Sequence, residues 1–197
     1  MKSKKILIVT LFVVAFLSGC AGTDFVRPEA GRLDVGKSTA ADVEAMMGKP
    51  YQNGEVLKNG QIIKVEKYAY ANTAREAVKS GVTPARAMNF SLFNNTLVGE
   101  EFVSSFKSDS TDFDESKVGL IAKGQTTRDD VIAMLGKPSG RAIYPLIKNK
   151  DDDAMIYSYA QVSGSAFSLK VYNKQLVIAF NDKGVVSDVE FTSNGDK

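Results

Sequence analysis

Gly36-Lys37-Ser38-Thr39-Ala40-Ala41-Asp42-Val43-Glu44-Ala45-Met46-Met47-Gly48-Lys49-Pro50 returns 88 positions later as Gly124-Gln125-Thr126-Thr127-Arg128-Asp129-Asp130-Val131-Ile132-Ala133-Met134-Leu135-Gly136-Lys137-Pro138. Nine of the fifteen positions are identical, and the two copies open matching halves of the chain. Each copy reads as a short capped helix. Thr39 with Asp42, and Thr127 with Asp130, have capping-box spacing, with Asp in place of the usual Glu. Val43, Met46 and Met47 fall at i, i+3 and i+4 and share one apolar stripe, which Val131, Met134 and Leu135 repeat. Gly48 and Gly136 suit the left-handed position after a helix, and Pro50 and Pro138 prevent continuation. Gly36 and Gly124 open the two motifs. Every residue of the motif has a folding role.

Working outward, each copy precedes strand-like sequence. Gln61–Tyr70, Met88–Asn94 and Leu97–Phe106 are the candidate strands of the first half. Ala154–Val162, Ala166–Tyr172, Gln175–Asn181 and Val185–Thr192 are those of the second. Met88, Phe90 and Leu92 alternate with Asn89 and Ser91, as a half-buried strand requires. Asn72–Ala87 reads as an insertion, with a short helix over Thr73–Lys79. The expectation is an α+β protein of two tandem helix-plus-antiparallel-meander repeats, over residues 31–107 and 119–192. A Ser- and Asp-rich linker at 108–118 joins them, and 193–197 form a tail.

The N-terminus carries a different signal. Lys2, Lys4 and Lys5 precede the apolar run Ile6–Phe16, which is too short to span a bilayer as a helix and reads as the core of a signal peptide over 1–19. It ends in Leu17-Ser18-Gly19-Cys20, which resembles the bacterial lipobox. That resemblance implies cleavage before Cys20, a diacylglyceryl thioether on its sulfur and an acylated amine. Several acyl chains make a lasting anchor, each buried methylene contributing about 0.8 kcal/mol. Ala21, rather than Asp, follows the cysteine, and by the same resemblance this favours the outer membrane, on its periplasmic face. Residues 20–30 read as a lipidated tether of about 35 Å when fully extended.

The doubled pattern Gly-x-(Ser/Thr)-Thr-x-x-Asp-Val-x-x-Met-(Met/Leu)-Gly-x-Pro resembles the signature of the SmpA/OmlA family, the BamE-like domain of small outer-membrane lipoproteins. Its doubling is similar in plan to the β-lactamase inhibitor protein. The resemblance implies helices packed on an antiparallel sheet and a place among envelope or barrel-assembly proteins. The chain departs from the family in having two copies and a long insertion. No binding residue of the family transfers, because the matching positions are the structural ones.

Composition narrows the chemistry. The chain has no His, no Trp and one Cys among 197 residues. A Ser-His or Cys-His pair, a His-ligated zinc and an internal disulfide are therefore excluded. The formal charge of +2 becomes −1 once the three leader lysines are removed, which leaves no overall pull on nucleic acid. Asp151-Asp152-Asp153 lacks the glycine-spaced loop of a cation site and reads as a solvated acidic loop. Ser104-Ser105-Phe106-Lys107 lacks the context of Ser-Lys catalysis, and no phosphate-binding glycine loop is present. No cofactor, metal or catalytic residue is expected beyond the covalent lipid.

Two functional readings remain. One is a non-catalytic outer-membrane lipoprotein that serves as an interaction or assembly module. The other is a binding or inhibitor module for a periplasmic hydrolase. Tyr68 with Tyr70, and Tyr157 with Tyr159, stand at alternate positions of matched strands, so each pair shares a side. Phe25 and Tyr144, outside any clear stripe, join them as candidate partner-binding aromatics. Two places are open to the tyrosine rings: an outward interface, or the core beneath the helices.

Overall fold

The computed structural model describes residues 22–165 and 168–196. Strands β1 (Gln52–Lys58), β2 (Gln61–Ala71), β3 (Ala85–Phe93) and β4 (Thr96–Ser104) follow helix α1 (Ala40–Met47). After a 3₁₀ turn at Glu115–Leu120 and helix α2 (Arg128–Leu135) come β5 (Gly140–Ile143), β6 (Asp153–Ser165), β7 (Ser168–Phe180) and β8 (Val186–Gly195). All eight strands pair antiparallel, in chain order, in one sheet. This overturns the expected α+β pair of helix-plus-meander repeats. Among the described residues 48% are strand against 13% helical, and the sheet curls into a half-barrel. Main-chain pairing is continuous across the middle, where Gly99 faces Ala142, Glu100 faces Arg141 and Glu101 faces Gly140.

That seam depends on Gly140. A Cβ at Gly140 would overlap the Glu100 carbonyl oxygen, and one at Gly99 would meet the Leu146 side chain. At position 140 only glycine lets β5 approach β4 this closely, whereas at position 99 the conflict is with the end of a flexible side chain. The Arg141 guanidinium reinforces the join with an ion pair of 2.8 Å to Glu100.

The local helix signals are all present. The Thr39 N–H donates to the Asp42 carboxylate at 2.8 Å while the Thr39 hydroxyl accepts from the Asp42 N–H, and Thr127 with Asp130 repeats both bonds. These bonds hold both aspartates below the usual carboxylate range. Gly48 and Gly136 close the helices at φ of 74° and 81°, a region closed to most side chains. The turns before the helices dock alike: Gly36 donates to the Leu97 carbonyl and Gly124 to that of Val186. Pro50 and Pro138 follow the helix ends. Each helix buries its valine completely, with Met46 and Met47, or Met134 and Leu135, packed alongside.

Two cores lie on the helix-covered side of the sheet. Tyr68, Met88, Phe90, Leu97 and Phe102 sit beneath α1, and Tyr157, Leu176, Ile178 and Phe180 beneath α2. A third, smaller cluster of Ala142, Ile147, Ala154, Ile156 and Ala179 lies on the opposite side, under the loop between β5 and β6.

Several segments differ from the sequence expectation. Strand β1 was not anticipated; it is an exposed edge, largely polar but with Val56 and Leu57 also open to solvent, where periodicity is weak. Strand β5 is too short for a pattern. Strand β7 runs unbroken through Asn173 and Lys174, which the sequence reads as a break. Lys174 is buried there, paired with Asp112 at 2.7 Å. Residues 73–79 form a turn and a bridge from Ala77 to Phe106 rather than a helix.

The described part of the tether, residues 22–30, and the linker are both packed. Residues 22–33 lie as a strap on the helix side. Gly22 bridges to Tyr70, Phe25 meets the edge of Phe102 at 6.5 Å, and Arg27 donates to the carbonyls of Pro138 and Ser139 at 3.2 and 3.0 Å. The Arg86 guanidinium holds this strap and the linker together, pairing with Asp24 and with Asp109. It also lies 5.4–5.6 Å from the ring centres of Phe25, Tyr70 and Phe106.

Candidate binding face

Side chains alternate across a strand, so the residues between the core positions form the other face. On β2 and β3 these are Lys67, Ala69 and Ala71, opposite Asn89, Ala87 and Ala85. On β4 they are Gly99, Glu101 and Val103. On β6 and β7 they are Ser158, Ala160 and Val162, opposite Gln175, Asn173 and Val171. This face is concave, because residues far apart in strand order line common hollows on it. One hollow is walled by residues from β1 to β7.

A tie at each end fixes the curl. At one end the Asn59 amide, in the turn between β1 and β2, donates to the carbonyls of Pro145 and Ile147 at 3.0 and 2.8 Å. At the other, the Thr83 N–H donates to the Val162 carbonyl at 2.8 Å. The insertion therefore braces the second half of the sheet against the first.

Glu101 stands at the centre of the face. Ser158 and Gln175 donate to one of its carboxylate oxygens, the latter at 2.5 Å, and Asn89 to the other at 3.3 Å. Donors from β3, β6 and β7 thus set one carboxylate on β4. Toward the Gly22 end the floor becomes small and apolar. Ala69, Ala87, Val103, Ala160, Val162 and Val171 line a trough of about 290 Å³, with the exposed ring of Tyr51 at its rim. The far end is charged: Lys148 pairs with Asp188 and Glu190, and Lys123 also pairs with Asp188.

Of the aromatics singled out from the sequence, Tyr70 stands in the wall of the trough and the others lie elsewhere. Tyr68 and Tyr157 are buried beneath the helices, and their hydroxyls donate at 2.8 Å to the carbonyls of Gly48 and Gly136. Tyr159 is buried as well, donating to Gln161 at 3.1 Å beneath the Lys79 ammonium. Burial pushes all three phenols up to about 12, with Glu66 and Glu44 adding to the effect at Tyr68 and Asp112 at Tyr159. Their rings fill the core; of the two places open to them, these three occupy the inner one. Tyr70 is half-buried, stacked on Phe106 at 6.0 Å. Phe25, in the strap itself, packs against the core beneath α1, and Tyr144 sits in the loop after β5 with Lys150 5.3 Å from its ring centre. Cys20 lies outside the described residues.

The sequence reading passed over Glu101, Ser158, Gln175 and the alanine floor. One signal was available: between Ala85 and Ser91 the positions opposite the core are Ala, Ala, Asn and Ser, small or polar throughout.

No protein-family profile matches the chain, and no curated protein does. Among solved structures it is similar to a Streptococcus mutans protein provisionally named a β-lactamase inhibitor protein. The two are 13% identical, with 79% of this chain and 82% of that one covered, at a TM-score of 0.39.

Proposed function

We propose that this chain is a non-catalytic binding protein, held by a lipid on Cys20 to the periplasmic face of the outer membrane, whose concave face grips a protein of the cell envelope. The carrying observation is the contrast between the two sides of the sheet. One side is covered by two helices, a strap and a linker. The other keeps a hollow floor of small side chains around a carboxylate already set by three donors. Such a face loses little conformational freedom on binding, because the curl is tied at both ends and Glu101 is oriented beforehand. Small floor residues leave room for a partner's side chains, and an apolar hollow with a polar centre provides both burial and register. The lipobox and the helix motif, with its likeness to outer-membrane lipoproteins, support the location.

The test is co-purification of the lipidated protein from detergent-solubilised envelope, beside the variants Glu101→Arg and Ala87→Arg. Both place bulk and charge on the face, and circular dichroism reports whether the sheet is intact. Loss of the same captured protein in both folded variants supports the reading. Unchanged capture by both would sink the concave face as the site. Barrel-assembly subunits among the captured proteins favour an assembly role, and a soluble hydrolase favours the inhibitor role.

A further inference from the structure

The apolar trough does not stop at the sheet. Val162 on β6 faces Val171 on β7, and the next pair on the same side is Gly164 with Leu169. These side chains are 37%, 51% and 65% exposed. Isolated exposed apolar residues are ordinary, but here they extend an apolar hollow at one end of the molecule. Gly22 lines the same trough and is bridged to Tyr70 in its wall. Cys20 precedes it by two residues, a reach of about 7 Å at most.

We propose that this end of the half-barrel rests in the lipid leaflet, with Val162, Leu169 and Val171 entering the acyl region beside the chains carried on Cys20. The inference rests on the lipoprotein reading. An anchor attached within 7 Å of an apolar surface brings that surface to the bilayer with no slack to hold it away. Lys170, exposed on the opposite side of the same strand between Leu169 and Val171, supplies an ammonium for the headgroup layer. The charged end around Lys148, Asp188 and Glu190 then points into the periplasm. The concave face stands upright on the membrane and opens sideways.

The absence of tryptophan makes a direct test available. Leu169→Trp introduces a sole indole at the proposed contact. Leu57→Trp introduces one at the opposite end, where Leu57 is similarly exposed at 69%. Each lipidated variant is reconstituted into phosphatidylethanolamine and phosphatidylglycerol vesicles with brominated acyl chains. The expected result is at least twofold quenching and a blue shift at position 169, with neither at position 57. An unquenched Trp at 169, or equal quenching at both positions, overturns the proposal. Mass spectrometry of the Cys20 peptide from the same sample tests the underlying reading separately. Missing acyl mass sinks the anchor, while quenching at 169 in that sample still sustains the lipid contact.

Discussion

The Tyr157 hydroxyl donates to the carbonyl of Gly136 at 2.8 Å, so a ring from the sheet satisfies the last turn of the helix above it. Tyr68 and Gly48 repeat the bond at the same distance. Helix ends leave carbonyls without intrahelical partners, and a buried one left bare is costly.

Tyr157→Phe keeps the ring and removes the bond; it should lower stability by about 1 kcal/mol. Tyr159→Ala removes a buried ring outright and should cost about 3–5 kcal/mol. Urea melts of the two variants check this. A Tyr159→Ala protein as stable as the parent would return that ring to the surface.

Asp112 should make stability fall in acid. Burial opposes its charge, but the bonds and ion pairs with Lys174 and Lys79 outweigh that and hold the carboxyl below the usual range. A carboxyl depressed in the folded state binds fewer protons than the unfolded chain does, so it stabilises above the ordinary Asp value of about 3.9. The contribution disappears as pH drops through the folded value. Asp112→Asn should therefore be less stable than the parent at pH 6, with the gap closing toward pH 2. Denaturant melts across that range would show it, and a gap independent of pH would refute it.

Gly140→Ala should destabilise by about 2 kcal/mol or more, because the added Cβ meets the Glu100 carbonyl across the seam. Hydrogen exchange should show early loss of protection at Glu100 and Arg141. An alanine variant with the parent's melting point would mean that the two strands can part at little cost.

What the sequence made legible was local. Capping boxes, glycine stops and i, i+3, i+4 stripes act within a few residues, and all are found where Thr39, Gly48 and Val43 placed them. Alternation correctly put Tyr157 and Tyr159 on one side, but period two cannot say which side is covered. The single sheet was hidden because its continuity rests on Gly140 meeting Glu100, a contact forty residues apart with no pattern around it. The break expected at Asn173-Lys174 failed for a similar reason. Lys174 is tolerated in mid-strand because Asp112, sixty-two residues earlier, lies beside it. The concave floor is not legible because alanine and serine opposite a core stripe look like ordinary solvent-facing positions until curvature makes them a hollow.

The strap has a mechanical consequence. Force applied at the N-terminus enters residues 22–33 first, and these are fastened by side-chain contacts and one bridge rather than by a ladder of strand pairs. They peel one contact at a time, beginning at Gly22 and Asp24 and ending at Arg27 and Leu33. Their full release pays out about 40 Å of chain before tension reaches the sheet. The strap is a shock absorber between whatever pulls on the chain's beginning and the proposed binding face.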